Sequence, residues 1–216
     1  LKILGIKNTK MKSTLWTFGD SNTAGWGCNP SDEYYQKYYK LGNKIWPEWL
    51  SELFDINLKN FGKSGSSNDT IIDTIIRKWD EINKGDYVFI GMTHPHRFDV
   101  PINNQFESIV HNFAEDKKES NLTKTEFETI INFQYYFADH ILYKNRHIHR
   151  FEWIRKLLLK KGCNMAILWN VQTDLNGLQT IYDETNGEIV DKHLSFSSHK
   201  LLADIFYKKY ITKDII

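Results

Sequence analysis

Thr14-Leu15-Trp16-Thr17-Phe18-Gly19-Asp20-Ser21-Asn22 is the stretch on which the reading of this chain turns. Its first five residues form a β-prone run, and Gly19-Asp20 ends it. A strand closed by glycine and followed by Asp, Ser and Asn leads into a tight turn and a helix start. Three more segments read as strands. Ile56 to Phe61 alternates, Asp86-Tyr87-Val88-Phe89-Ile90 is nearly continuous in apolar residues, and Ala166-Ile167-Leu168-Trp169 forms a fourth run. A continuous apolar strand is one buried on both faces. The segments between carry helical spacing. Trp46, Trp49, Leu50 and Leu53 recur in 45–54, with Pro47 tolerated in a first turn. Ile72, Ile75, Ile76 and Trp79 recur in 69–82, and Leu201 with Ile205 and Leu202 with Phe206 pair in 198–210. Strands alternating with helices predict an α/β fold: a three-layer α/β/α sandwich around a mainly parallel sheet. In such a sheet, ligands bind at the carboxyl ends of the strands.

The stretch from Asn103 to Lys161 is too long for a simple connection. It is polar through Glu115–Thr125, then helical in pattern at Ile130, Phe133, Tyr136 and Phe137, and again at Trp153, Leu157 and Leu158. The expectation is a helical insertion after the third strand, at about 103–150, running into the helix before the fourth. Residues 1–10 read as an N-terminal tail and residues 11–216 as one domain. The 28 Lys+Arg balance 27 Asp+Glu, which argues against a nucleic-acid-gripping protein. Cys28 and Cys163 match no zinc or redox spacing. No apolar run reaches membrane-spanning length, and Leu1–Lys12 lacks the apolar stretch of a signal peptide. A cytoplasmic protein with no membrane partner is the expectation.

Three segments carry the chemistry. Gly19-Asp20-Ser21-Asn22 puts a serine on a strand-to-helix turn, where its hydroxyl is exposed and its own N–H can face a substrate oxygen. The same four residues also read as an ordinary turn with a helix cap. Asn60-Phe61-Gly62-Lys63-Ser64-Gly65-Ser66-Ser67-Asn68 follows the second strand, and its glycines let backbone N–H groups approach a ligand. It reads equally as a loop with a capping residue. Asp191-Lys192-His193-Leu194-Ser195 precedes the last helix. A serine hydroxyl needs a base within reach, and histidine titrates in the useful range. Asp191 is placed to hold the imidazole tautomer, whereas a lone histidine beside a cap is usually a surface residue.

In this order, the three segments resemble the SGNH (GDSL-type) serine hydrolases. Gly19-Asp20-Ser21 matches the family's first block, Asn60 with Gly65 the second, and His193-Leu194-Ser195 the last. The resemblance implies a flavodoxin-like SGNH fold. It implies Ser21 as nucleophile, His193 as base and Asp191 as its partner, with the N–H groups of Ser21 and Gly65 as oxyanion donors. The reaction implied is hydrolysis of a carboxylic ester through an acyl-enzyme, with small acyl groups on carbohydrate as the substrate class. An acyltransferase is the close variant. The chain departs from the pattern twice. Gly91-Met92-Thr93-His94-Pro95-His96-Arg97 lacks the family's third-block Asn, leaving Thr93 or Asn68 as substitute donors. Asp191 precedes His193 by two residues rather than three, so another acceptor is open as its partner, and His199 stands as a second candidate base.

Asp20, Asn22, His94 and Arg97 are candidate substrate contacts, Arg97 as a carboxylate or phosphate clamp or as a scaffold partner of Asp99. His94-Pro95-His96 and His147-Ile148-His149 lack a third and fourth ligand, so no metal is assigned, and no cofactor is expected. A flavin site would need a fuller Ser/Thr/Gly loop than Ser21-Asn22-Thr23-Ala24-Gly25. Tyr34, Tyr35, Tyr38 and Tyr39 suit a sugar-stacking platform or partly buried packing. The rival from another class is a non-catalytic module of the same fold that binds a glycan or a partner, with Ser21 as a relic. The expected partner is a small-molecule or carbohydrate ester.

Overall fold

The β-prone run at 14–19 pairs with two others side by side, and this fixes the sheet. The computed structural model describes residues 12–25, 44–95, 97–102, 105–110, 123–126, 128–129, 132, 140–170, 177–188 and 193–210. In chain order the elements are β1 (Thr14–Gly19), α1 (Ser21–Ala24), α2 (Trp46–Phe54), β2 (Asn57–Gly62), α3 (Asn68–Arg77), a 3-10 turn (Trp79–Glu81) and β3 (Tyr87–Met92). They continue with β4 (Arg97–Ile102), β5 (Gln105–Val110), α4 (His140–Lys161), β6 (Met165–Asn170), α5 (Ile181–Glu184) and α6 (Phe196–Tyr210). Four strands form a parallel sheet in the order β2-β1-β3-β6. The protein is therefore an α/β protein, with helices on both faces of the sheet.

Alternation along the strands divides the core into two layers. Trp16, Phe18, Val88 and Ile90 point to one face, against Ile71, Ile72 and Ile75 of α3 and Phe151, Ile154 and Leu158 of α4. Leu15, Phe89 and Trp169 point to the other, against Trp46 and Leu50 of α2 and Leu202, Ala203 and Phe206 of α6. Trp46 stands edge-on to both Trp169 and Phe206. At the amino end of the sheet, the buried Asp86 fastens β3 to β1. Its carboxylate accepts from the Thr14 N–H at 2.9 Å and from Trp16 Nε1 at 2.8 Å.

Two features differ from the expectation. After β3 the chain first makes an antiparallel hairpin, β4 with β5, Ile102 facing Gln105. The sequence reading foresees only a helical insertion here. The signal is alternation at Phe98, Val100 and Ile102 followed by Asn103-Asn104, and Pro101 obscured it, since proline is tolerated on an edge strand. The second difference is the face of α4. Its buried stripe is His147, Phe151, Ile154 and Leu158, while Trp153 is 64% exposed. Ile76, Leu201 and Ile205 likewise lie outside the core. The tail at 1–10, Cys28, the tyrosines at 34–39, His96, half of the expected insertion and Asp191 lie outside the described residues. Cys163 is free and buried, and burial pushes its thiol up to about 11. Among the described residues, no helix is long and apolar enough to cross a membrane.

Candidate active site

β1 connects to β2 on one side, while β3 lies on its other side. The carboxyl ends of β1 and β3 therefore flank a topological switch point, where α/β sheets open a crevice for ligands. Ser21 lies immediately past β1 as the first residue of α1, Thr93 lies immediately past β3, and the 63–67 loop follows β2.

The turn bearing Ser21 is built by Asp20. Asp20 is 2% exposed and caps α1, its Oδ1 accepting from the Asn22 N–H at 3.0 Å. Its Oδ2 accepts from Thr93 Oγ1 at 2.8 Å and lies 3.4 Å from Arg97 Nη1. The same Arg97 nitrogen donates to the Ser66 carbonyl at 3.0 Å. One buried carboxylate thus ties the ends of β1 and β3 together, and Arg97 links both to the loop after β2. Asp20 thus serves as a scaffold residue, and Arg97 pairs with it rather than with Asp99. Asp99 accepts instead from Thr70 Oγ1.

Asn60 fastens the neighbouring side. Its Oδ1 accepts from Thr17 Oγ1 and from the Gly62 N–H, both at 2.9 Å, and its Nδ2 donates to the Thr23 carbonyl at 2.9 Å. The asparagine that matched the second block by its spacing thus acts as a clamp joining β1, β2 and α1. Gly62 lies so close to α1 that a Cβ there would stand 2.4 Å from the Ala24 nitrogen.

Ser21 is 2% exposed. Its N–H and that of Gly65 make no hydrogen bond to a described residue, so both donors remain for a ligand. Gly65 has φ +74, with nothing within 4 Å of where a Cβ would stand. The substitute oxyanion donors fare differently. Thr93 has both donors engaged: its hydroxyl on Asp20, and its N–H on Asn68 Oδ1 at 2.9 Å. Asn68 returns one Nδ2 hydrogen to the Thr93 carbonyl at 3.1 Å and keeps the other.

His193 is half-buried and its carbonyl accepts from the Ile181 N–H at 2.9 Å. No hydrogen bond joins it to the Ser21 hydroxyl, and Asp191 lies outside the described residues. His199 is 1% exposed, and its Nδ1 accepts from the Trp46 N–H at 3.2 Å. Burial, aided by the charge of His193, pulls its pKa down to about 3. A neutral ring with one nitrogen tied to a helix N-terminus is structural, which removes His199 as the base. Asn22 donates its N–H to Asp20 and accepts from Trp46 Nε1 through its carbonyl; His94 is half-buried.

A group that sequence reading weighed only as a metal pair lies on the far side of Thr93. His147 is 3% exposed, and its Nε2 stands 3.4 Å from Asp69 Oδ2. Arg150 donates to the other oxygen of Asp69. Asp69 is held at about 2, first by the His147 imidazole and then by Arg150, against the opposing effect of burial. The overlooked signal is the helical stripe: His147 is one turn before Phe151 and shares its face. Among the described residues, no group of three His, Cys, Asp or Glu side chains is placed to hold a metal.

No family model and no curated protein matches this chain. Solved structures do. A proposed lipolytic protein of the G-D-S-L family from Desulfitobacterium hafniense aligns at 13% identity and TM-score 0.39, over 91% of this chain and 98% of that one. A carbohydrate esterase, described as having divergent catalytic and non-catalytic binding functions in its active site, aligns at 14% identity and TM-score 0.40, over 93% and 65%. A catalytic mutant of an acetylxylan esterase from Geobacillus stearothermophilus aligns at 13% and 0.37, over 92% and 94%. Likenesses this distant assign no role to any residue here.

Proposed function

We propose that this chain is an SGNH-type serine esterase that hydrolyses a carboxylic ester through an acyl-enzyme on Ser21, with His193 as general base. One observation carries the reading: Ser21 starts a helix at the switch point of a parallel sheet, on a turn fixed by a buried carboxylate, with its own N–H and that of Gly65 unengaged. Two preorganised N–H donors beside a nucleophile are what a tetrahedral oxyanion needs. In this reaction His193 takes the Ser21 hydroxyl proton as Oγ attacks the carbonyl. The oxyanion lies on the two N–H groups. The leaving alcohol takes the proton from His193, and water then resolves the acyl-enzyme by the same steps in reverse. Asp191 is the proposed partner of His193. Small acyl groups on carbohydrate are the proposed substrates.

A second reading, a non-catalytic glycan-binding or partner-binding module, is favoured by the lack of a hydrogen bond between Ser21 Oγ and either imidazole, His193 or His199. Hydrolysis of p-nitrophenyl acetate by wild type, Ser21→Ala and His193→Ala separates the two. The esterase reading expects a loss of roughly a thousandfold or more in kcat for each variant, with unchanged far-UV circular dichroism. Equal background rates in all three, together with no labelling of Ser21 by a fluorophosphonate, would leave the binding module.

A further inference from the structure

α4 concentrates positive charge that the rest of the chain lacks. It holds seven of the 28 Lys and Arg residues and one of the 27 Asp and Glu residues, which makes the helix +6 and leaves the remainder at −5. Part of that charge is engaged within the protein. Arg150 donates to Asp69, Arg155 pairs with Glu152, and Lys161 donates to the Trp79 carbonyl. Arg146, Lys156 and Lys160 are exposed and make no ion pair or hydrogen bond with a described residue.

The helical repeat sets where these three fall. The buried stripe of His147, Phe151, Ile154 and Leu158 faces the core. On the opposite side, Leu142, Arg146, His149, Trp153, Lys156 and Lys160 recur at steps of four and three, and so form one outward ridge. All six are exposed, Leu142 at 66% and Trp153 at 64%. From Leu142 to Lys160 the ridge is about 27 Å long, at about 1.5 Å per residue. None of the six is acidic, and Glu152, the one acid of the helix, is held by Arg155. A single exposed tryptophan is ordinary on a protein surface. Here cations and large apolar side chains share one line, held outward by a helix that is packed on its other side.

The occupant that suits such a ridge is anionic and also offers an apolar layer. A second copy of α4 brings like charge and is repelled. The phosphates of a nucleic acid meet the three cations but give Leu142 no apolar surface. A bilayer surface rich in anionic lipid offers both layers at once. Its headgroups attract Lys and Arg, and the acyl boundary beneath them takes Trp and Leu. It is also planar, so a straight ridge meets it along its whole length.

We propose that α4 is a peripheral docking surface for an anionic membrane, with Arg146, Lys156 and Lys160 on lipid headgroups and Leu142 and Trp153 entering the boundary beneath. The expectation of no membrane partner rested on the lack of a spanning run, and a surface contact needs none. The docking does not depend on the esterase reading.

Co-sedimentation of the full chain with vesicles tests it. The vesicles are phosphatidylcholine alone, or phosphatidylcholine with phosphatidylserine as about a third of the lipid. The wild type should pellet with the second kind only, and be released in about 1 M sodium chloride, where charges are screened beyond about 3 Å. The triple variant Arg146→Gln, Lys156→Gln, Lys160→Gln should bind roughly a hundredfold more weakly, about fivefold for each charge removed. The charge-keeping triple variant Arg146→Lys, Lys156→Arg, Lys160→Arg should bind as the wild type does, and Trp153→Ser should weaken binding several-fold. All these positions are exposed, so far-UV circular dichroism should not change. No binding to the phosphatidylserine vesicles, or binding that persists in the glutamine variant, overturns the proposal. So does duplex DNA bound as tightly as the vesicles and insensitive to Trp153→Ser, which would make the ridge a general polyanion surface.

Discussion

Thr93 and His94 are the residues nearest to where the resemblance places an asparagine, and the structure gives the Thr93 side chain different work. The Thr93 hydroxyl donates inward to Asp20, which caps the helix that Ser21 opens. The contact is 2.8 Å long, and both residues are at least 96% buried, so water does not replace it. A buried hydrogen bond to a charged group contributes about 1.5–3 kcal/mol. Thr93→Val keeps the shape and removes the donor. Its expected effect is a stability loss of about 2 kcal/mol in urea unfolding, with a lower kcat on p-nitrophenyl acetate and little change in KM. A loss of less than about 0.5 kcal/mol would mean that Arg97 alone holds Asp20. The role of Asp20 was not legible from its neighbours in sequence, because its partners Thr93 and Arg97 come from another strand end. Ser21 was legible, since a strand, a glycine and a serine in series are local signals.

Among the elements, two glycines shape the Ser21 turn and the loop after β2 for opposite reasons. Gly62 needs its missing Cβ: one would stand 2.4 Å from the Ala24 nitrogen and 2.5 Å from the Thr23 carbonyl carbon, both backbone atoms. Gly65 has open space but φ +74. Gly62→Ala must push α1 off β2, and the expected result is a stability loss above about 3 kcal/mol with activity lost alongside. Gly65→Ala pays only the left-handed penalty of about 1–2 kcal/mol and keeps its N–H, so most activity should survive. Thermal melts paired with ester hydrolysis check the contrast, and similar losses in both variants would contradict it. The strands and both sheet-covering helix pairs could be read in advance, because period-2 and period-3.6 patterns are local. The β4–β5 hairpin was hidden by Pro101. The true face of α4 was hidden because a buried histidine occupies a position on the apolar stripe, and Trp153 looked the better candidate.

Across the whole molecule, two histidines join helices that are distant in sequence, one pair on each face of the sheet, and His199 and Asp69 set how stability responds to acid. His199 of α6 accepts from the Trp46 N–H at the start of α2, and so ties together the two helices on one sheet face. His147 of α4 meets Asp69 of α3 on the other face. The folded His199 has its pKa lowered to about 3 from 6.5. Between those two values the unfolded chain binds a proton that the folded chain refuses. Stability is therefore full above about pH 6.5 and falls as pH drops toward 3, with a limiting slope of about 1.4 kcal/mol per pH unit for this one group. Asp69, lowered from 3.8 to about 2, has the same sign in a lower window: its contribution is present above 3.8 and is lost as pH falls toward 2. Its half-exposed position makes that second contribution small. His199→Asn tests the first window, because the asparagine oxygen can take the place of Nδ1 as acceptor but does not titrate. Urea unfolding of both proteins from pH 7 to pH 4 should show a shallower fall in the variant, the two curves converging at low pH. Parallel curves would mean that His199 does not carry the acid sensitivity.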